Sequence, residues 1–287
     1  MKKVTIRGFS ISVLLFSLFT GCSILQDIAQ IQKPDVAVQN VRFTGLDFEK
    51  LSMVFDIGIQ NPNKMAVNLA GLNYELFLND NSFLKGEQSN ELTIASEANN
   101  VIEIPLDLSF SNIYSTIQSL KDRDSTSYRM NVGLLFNLPV LGPTNIPISK
   151  EGGLPLLKWP SIQVASLDVQ RFNLTGAALN LKLQLENPNS LNLLLNKLNY
   201  NFKVNGNSWI SGETSETKTV SSNNETSIDI PFQLDFLKMG QTVYQMISGG
   251  KEIQYDLTGN MNLGSTYKLL EGSSMPFNKQ GTIKIQK

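Results

Sequence analysis

The sequence predicts an all-β protein that consists of two tandem antiparallel β-sandwiches, each with one short helix. Three observations lead to this prediction. The tripeptide Asn61-Pro62-Asn63 recurs as Asn187-Pro188-Asn189, 126 residues further along the chain. The residues before each tripeptide alternate between apolar and polar, as in a half-buried strand. The residues after each tripeptide include one apolar stripe with helical spacing.

The composition is typical of a globular protein with a substantial core. The chain has 287 residues, of which 41% are hydrophobic and 17% charged, and at about 150 residues per domain this length suggests two domains. The net charge of −1 provides no basic excess, so we expect no nucleic-acid partner. The chain contains no His, which removes the commonest general base and metal ligand. We therefore expect a protein without enzymatic activity, cofactor or metal.

Residues 1–21 are predicted to be a signal peptide. Two lysines and an arginine lie within the first seven residues, and residues 9–20 are then apolar or small. This stretch is shorter than the roughly 20 apolar residues that span a bilayer, and its length suits the hydrophobic region of a signal peptide.

The box Leu18-Phe19-Thr20-Gly21-Cys22 resembles a bacterial lipoprotein signal, in which a small residue precedes the acceptor cysteine. The resemblance implies that Cys22 is a modification site and becomes the lipidated N-terminus of the mature protein. A thiolate is the nucleophile that such a thioether requires, and two or three acyl chains give a stable anchor. Ser23 after the cysteine implies the outer membrane of the bacterial cell envelope, on its periplasmic face. The alternative is an ordinary signal peptide with an unmodified cysteine.

Residues 22–34 are predicted to be a lipidated tether that ends at Pro34. Its apolar residues recur at helical spacing: Ile24, Leu25, Ile28 and Ile31. A short helix on the membrane or against the first domain and a loose linker are both compatible with this pattern.

The duplication extends well beyond the two tripeptides. Matching strand residues recur in the same phase 126 residues apart: Met53, Phe55, Ile57 and Ile59 in the first copy, and Leu179, Leu181, Leu183 and Leu185 in the second. A slip of one residue would turn every side chain to the other face, so the shared phase indicates a repeated fold. Pro105 and Pro231 match within a later strand, which predicts an edge strand or a bulge there.

One helix is predicted in each copy, behind Ser109 and Asp235, which can each cap a helix N-terminus. The apolar stripes are Phe110, Ile113, Ile117 and Leu120 in the first copy, and Phe236, Met239, Val243 and Met246 in the second. The helices should end near Lys121 and at Gly249-Gly250. The predicted first domain covers residues 35–152, the linker 153–159 and the second domain 160–287, with around seven strands in each domain.

Each Asn-Pro-Asn tripeptide is predicted to be a corner that ends a strand and redirects the chain. Proline extends the residue before it and cannot donate to the strand ladder. The asparagine after it can form an Asx turn or adopt a left-handed conformation. A ligand-binding role for the amide side chains is the alternative.

At these positions the chain resembles the LEA-2 family, also called the WHy (water stress and hypersensitive response) domain. The shared pattern is Asn-Pro-Asn, then Leu-x-Tyr and a later Asn and Gly. It is formed here by Asn61-Pro62-Asn63, Leu72, Tyr74, Asn79 and Gly86, and by Asn187-Pro188-Asn189, Leu198, Tyr200, Asn205 and Gly212. The resemblance implies immunoglobulin-like or fibronectin-III-like sandwiches, an association with desiccation and other stress, and no catalytic residues.

Other candidate residues have simpler interpretations. The acidic pairs Asp122/Asp124 and Glu213/Glu216 lie in predicted loops and indicate a solvated surface. Trp159 is expected at the domain junction and Trp209 on a hairpin, although either ring could bind a ligand.

The sequence as a whole predicts a non-enzymatic, membrane-anchored envelope lipoprotein that acts in stress protection or binds an envelope protein or lipid. The alternative is a carrier of a lipid or another apolar ligand. That function would require an interior pocket lined by the alternating apolar residues of the strands.

Overall fold

The computed structural model describes residues 31–89, 91–214, 216–270 and 272–286. The predicted signal peptide and most of the predicted tether, including Cys22, lie outside these residues. Within the described part of the chain, no helix is long and apolar enough to cross a membrane.

The described chain forms two compact units. The first unit contains the described residues up to Arg42, Met53–Leu106 and Ser125–Leu154. The second contains Phe43–Ser52, Asp107–Asp124 and the chain from Pro155 onwards.

The first sequence copy consists of strands and a short helical segment. Its elements are β1 (Asp35–Leu46), β2 (Lys50–Gln60), β3 (Val67–Leu78), β4 (Asn81–Gln88), β5 (Leu92–Ile94), β6 (Asn99–Ser109), α1 (Phe110–Thr116), a 3₁₀ helix (Gln118–Leu120), β7 (Ser125–Leu138) and β8 (Gly142–Pro155).

These strands form two sheets. One has the order β1-β2-β6, and the other has the order β4-β3-β7-β8 with β5 paired to β3. Alternate residues of β2 are buried, and Phe55 of β2 meets Tyr128 of β7 edge-to-face with ring centroids 5.7 Å apart. The apolar faces of the two sheets therefore pack together, which confirms the predicted sandwich.

The second copy repeats this order of elements. Its elements are β9 (Ser161–Phe172), β10 (Gly176–Asn187), β11 (Leu193–Val204), β12 (Asn207–Thr214), β13 (Lys218–Val220), β14 (Asn224–Asp235), α2 (Phe236–Met239), α3 (Gln241–Gly249), β15 (Glu252–Ser265), a 3₁₀ helix (Lys268–Leu270) and β16 (Ser273–Gln286).

The strands of the second copy follow the order β12-β11-β15-β16-β9-β10-β14, with β13 paired to β11. A short parallel contact between β16 and β9 joins the two antiparallel halves, through the pairs Ile285–Leu167 and Gln286–Asp168. β6 and β14, which contain Pro105 and Pro231, lie at sheet edges as predicted, so the missing proline N–H interrupts no ladder.

The helices differ from the prediction in length and number. In the first copy the helical run breaks at Ile117, whose φ of −122° and ψ of 83° are not helical. In the second copy Gly240, with φ of 89°, divides the predicted single helix into α2 and α3. Asp235 caps α2 by accepting a hydrogen bond from Leu237 N at 2.9 Å, whereas Ser109 makes no such cap. The prediction of one helix per domain is therefore wrong for the second copy.

The Leu-x-Tyr and Gly positions of the repeat pattern are cross-strand partners. Tyr74 on β3 pairs with Gly86 on β4, and Tyr200 on β11 pairs with Gly212 on β12. A Cβ atom on Gly212 would lie 2.8 Å from Tyr200 Oη, so the tyrosine ring occupies the space above the glycine. The glycine is needed because any side chain would displace the ring.

The first asparagine of each corner is buried and binds backbone carbonyls. Asn61 Nδ2 donates to Met65 O at 2.8 Å and to Ala95 O at 2.9 Å. Asn187 Nδ2 makes the equivalent bonds to Leu191 O at 2.8 Å and Ser221 O at 3.1 Å. Both asparagines have an exposed fraction of 0%. The amides therefore hold together two chain segments that meet at the end of the strand, which confirms the predicted corner.

The second asparagine of each corner holds the segment that leads into its own copy. Asn63 Oδ1 accepts a hydrogen bond from Gln32 N at 2.8 Å, and Asn63 Nδ2 donates to Gln32 O at 2.9 Å. Asn189 makes the same pair of bonds with Lys158, at 2.8 and 2.9 Å. The amide thus imitates a neighbouring strand. Its polar atoms are used within the fold, which argues against the ligand-binding alternative.

A charged cluster crosses the three-stranded sheet of the first copy. Arg42 on β1 contacts Asp56 on β2 through two hydrogen bonds of 2.8 and 2.9 Å, and it contacts Glu103 on β6 at 2.7 Å. The hydrogen bonds from Arg42 lower the pKa of Asp56. In the same way, the hydrogen bond from Lys50 lowers the pKa of Asp107.

We predict that Asn187→Ala and Asn61→Ala each lower the free energy of unfolding by about 2–4 kcal/mol, because each leaves buried carbonyls without a donor. Urea denaturation followed by circular dichroism measures this loss. Asn180→Ala is the matched control, since it removes an exposed hydrogen bond to Asp229 and should change stability by less than about 0.5 kcal/mol. Equal unfolding midpoints for the corner and control variants would contradict the role of the corner.

We predict that Arg42→Met raises the pKa of Asp56 towards its usual value of 3.8. In the wild type, the lowered pKa contributes stability above that value, and the contribution is lost as pH falls through the folded-state pKa. Carboxyl-detected NMR titration measures the pKa of Asp56 in the wild type and in the variant. The pKa of Asp107 serves as the internal control, because its partner Lys50 is unchanged. An unchanged pKa of Asp56 would show that Arg42 is not the cause.

Candidate functional site

The modification site Cys22 lies outside the described residues, but the structure describes where the tether meets the first copy. Gln32 lies ten residues after Cys22 in the sequence. Asn63 forms hydrogen bonds with both the backbone N–H and the backbone C=O of Gln32. Pro34, two residues after Gln32, is buried. The tether therefore has a defined attachment point on the folded protein.

This attachment point was not predicted from the sequence. The signal that could have revealed it is the match of Pro34 with Pro160 at the repeat offset of 126 residues. The asparagines bind Gln32 and Lys158 through backbone atoms. The side chains of these two residues can therefore differ.

The predicted acidic pairs lie on the surface. Asp124 accepts a hydrogen bond from Lys158 Nζ at 3.0 Å, and Glu213 forms an ion pair with Lys197 at 2.8 Å. Asp122 and Glu216 are exposed. In the described part of the chain, no group of three or more acidic or cysteine side chains is arranged to hold a metal. These positions fit a solvated surface.

The two tryptophans have different environments. Trp209 is buried on β12, in the predicted hairpin with β11. Trp159 is 43% exposed, and its ring lies 5.4 Å from that of Phe48. Both Trp159 and Phe48 belong to the second compact unit.

A cavity of about 480 Å³ lies beside Trp159 and α1. Its lining consists of Phe48, Glu49, Ser109, Phe110, Ser111, Tyr114, Leu157 and Trp159. Tyr114 Oη donates to Leu157 O at 2.9 Å. Burial, reinforced by the charge of Asp124, raises the pKa of Tyr114 to about 12. Tyr114 therefore stays protonated and fixes the chain after β8, which gives it a structural role.

Two further cavities occupy matching positions in the two copies. One, of about 530 Å³, is lined by Asp80, Ser127, Tyr128, Arg129, Glu151 and Gly152. The other, of about 520 Å³, is lined by Asn205, Gly206, Gln254, Tyr255, Asp256, Gln280, Gly281 and Thr282.

The matching cavities differ in their charged residues. Arg129 is the fifth residue of β7, and Asp256 is the fifth residue of β15. Arg129 pairs with Asp80 at 3.0 Å, whereas Asp256 Oδ1 is buried without a hydrogen-bond partner. The two copies therefore share their fold but do not present the same polar surface.

Comparison with known proteins identifies the repeated domain. The profile of the LEA_2 family, described as late embryogenesis abundant protein, matches residues 56–152 and 182–281. A desiccation-related protein of Arabidopsis thaliana is 21% identical over 131 residues, which are 46% of this chain and 79% of that protein. A desiccation protectant protein Lea14 homolog of Glycine max is 19% identical over 133 residues, or 46% of this chain and 88% of that protein.

Two solved structures are also similar to part of the chain. The solution structure of an Arabidopsis thaliana protein has 19% identity and a TM-score of 0.37, and the match covers 45% of this chain and 85% of that one. The solution structure of a putative late embryogenesis abundant protein has 20% identity and a TM-score of 0.37, covering 50% of this chain and 84% of that one.

The profile match in two segments coincides with the two copies that the Asn-Pro-Asn corners define. The chain therefore belongs to the LEA_2 family of late embryogenesis abundant proteins, as a tandem of two such domains.

Proposed function

We propose that this protein is a non-enzymatic lipoprotein of the bacterial cell envelope, tethered through Cys22, whose tandem LEA_2 domains protect other envelope components during desiccation or related stress. The observation that carries the stress-related part is the family match over both copies, together with relatives named as desiccation-related. The sequence around Cys22 carries the anchoring part.

The distribution of polar groups supports a protein that acts through its surface. The corner amides are committed to backbone atoms, and the acidic pairs are exposed or paired with lysine. Nucleophile, base and orienting group would have to converge for hydrolytic chemistry. The described residues offer instead ion pairs distributed over the surface of a β framework.

The carrier alternative receives less support from the cavities. A carrier would need an apolar space between the sheets, yet the alternating strand residues Phe55, Leu76 and Leu181 are each 0% exposed, within a packed core. Three cavities among the described residues, of about 360 to 530 Å³, are lined largely by polar residues at turns and strand ends. The cavity of about 480 Å³ beside Trp159 has a more apolar lining, and it lies against α1. This packing favours protection or partner binding at the surface over transport of a ligand in the interior.

We predict that Cys22→Ala abolishes lipid attachment, because the variant lacks the thiol that accepts the diacylglycerol. In a bacterial host, intact mass spectrometry of the wild type should detect an acylated chain that begins at Cys22. Carbonate-washed membranes should retain the wild type and lose most of the variant. Ser23→Ala is the control that leaves the acceptor in place. Undiminished membrane attachment of Cys22→Ala would refute the anchor.

We predict that the purified protein preserves the activity of a drying-sensitive enzyme through a cycle of drying and rehydration. The comparison is an equal mass of albumin, which controls for the general effect of added protein. Asn187→Ala tests whether an intact second domain is needed, because this variant loosens that domain without changing the surface charge. Recovery no better than with albumin would remove the support for a protective role.

A further inference from the structure

The hairpin between β7 and β8 ends in an unusual exposed apolar turn. Val140 is 75% exposed and Leu141 is 50% exposed. Val140 has a φ of +67°, and Leu141 N donates to Pro139 O at 2.7 Å. This geometry is a three-residue γ-turn with a positive central φ, which is rare and strained.

Valine at this position is energetically unfavourable if the turn is surrounded only by water. A β-branched residue at positive φ is a conformational outlier, and Gly or Asn would adopt the same backbone with less strain. Exposing two adjacent apolar side chains adds a second unfavourable contribution. Backbone strain of this kind is typically found at functional sites.

The equivalent hairpin of the second copy buries one of its apolar side chains. The longer connection between β15 and β16 contains a 3₁₀ helix, Lys268–Leu270. That helix turns Leu270 inward, to an exposed fraction of 0%, while Tyr267 and Leu269 of the same connection are 65% and 42% exposed. In the first copy the three tip residues Pro139, Val140 and Leu141 are all exposed. The duplicated fold can therefore bury an apolar side chain at this hairpin, and the first copy does not.

The tip and the tether lie at the same end of the first unit. Asn137, two residues before Pro139, pairs with Asn68 near the start of β3. Asn68 is five residues after Asn63, the asparagine that holds Gln32. Ten residues separate Gln32 from Cys22, and an extended chain of that length reaches at most about 35 Å. A membrane that holds Cys22 is therefore within reach of the tip.

We propose that the turn formed by Pro139, Val140 and Leu141 inserts into the lipid surface to which Cys22 tethers the protein. This inference rests on the proposed lipid anchor. The acyl chains supply most of the membrane affinity, and the tip adds a second contact at high effective concentration. A second contact on a rigid hairpin restricts the rotation of the domain, so it sets which end of the sandwich faces the bilayer.

The test places an environment-sensitive fluorophore at the tip of the full, lipidated chain. In that chain the thiol of Cys22 is consumed, so Leu141→Cys introduces a single reactive thiol for an NBD label. The protein is reconstituted in vesicles of phosphatidylethanolamine and phosphatidylglycerol. We expect blue-shifted emission and severalfold weaker quenching by aqueous iodide than at the control position Asp80→Cys, on the hairpin at the opposite end of β3.

A second variant separates membrane contact from folding. Val140→Asn combined with Leu141→Ser removes the apolar side chains while supplying a residue that tolerates positive φ. This variant should fold at least as stably as the wild type by urea denaturation. With a label at Pro139→Cys in both backgrounds, the protection from iodide should be lost only in the variant.

The outcomes distinguish the tip from the anchor. If Cys22 is not lipidated, the intact mass shows a chain without acyl groups and with a second label on the free thiol. This result does not depend on whether the tip contacts the membrane. Equal quenching at positions 141 and 80 in a verified lipidated protein would overturn the proposal, as would unchanged protection in the double variant.

Discussion

Buried asparagine amides are the interaction on which each domain depends. Where β2 and β10 end, the chain turns and leaves backbone carbonyls facing the interior. Each such carbonyl would cost about 1–3 kcal/mol if it remained without a donor. A neutral amide supplies two N–H donors and an acceptor from one side chain, so Asn61 can bind Met65 O and Ala95 O while it receives the amide of Asn63. Aspartate would set a carboxylate against those carbonyls, and alanine would leave them unpaired.

The same corner also determines how the chain enters each domain. Since Asn63 and Asn189 each bind both the N–H and the C=O of one residue, they select a position along the entering chain. The selection works through backbone atoms and accepts Gln32 in one copy and Lys158 in the other. One tripeptide therefore ends a strand and anchors a preceding segment, which explains why both of its asparagines are needed.

The sequence predicted the features that depend on local periodicity and missed those that depend on distant partners. Alternation identified β2 and β10, and the absence of a proline N–H predicted an edge strand or a bulge, of which β6 and β14 show the edge. The break of the helical run at Gly240 was visible as a glycine, but the apolar stripe continued through it and suggested one helix. The parallel contact between β16 and β9 joins residues more than 100 positions apart, and no period in the sequence records it. The lipidation of Cys22 remains a sequence prediction, because that residue lies outside the described part of the chain.

Comparison of the two copies separates what the fold requires from what the surface is free to vary. The corners, the Tyr–Gly pairs and the edge prolines occur in both copies, since each satisfies a backbone group or a steric limit. Arg129 and Asp256 occupy matching strand positions with opposite charge. All three residues of the β7–β8 tip are exposed, whereas Leu270 of the equivalent connection is buried. The strain at Val140 persists because the ladder between β3 and β7 fixes the strand up to Asn137, and the short turn then has few alternative conformations. A tip held by such a ladder cannot relax by moving as a loose loop would. Its two apolar side chains therefore meet a partner surface as a rigid unit, which is the property that an orienting contact beside a lipid anchor requires.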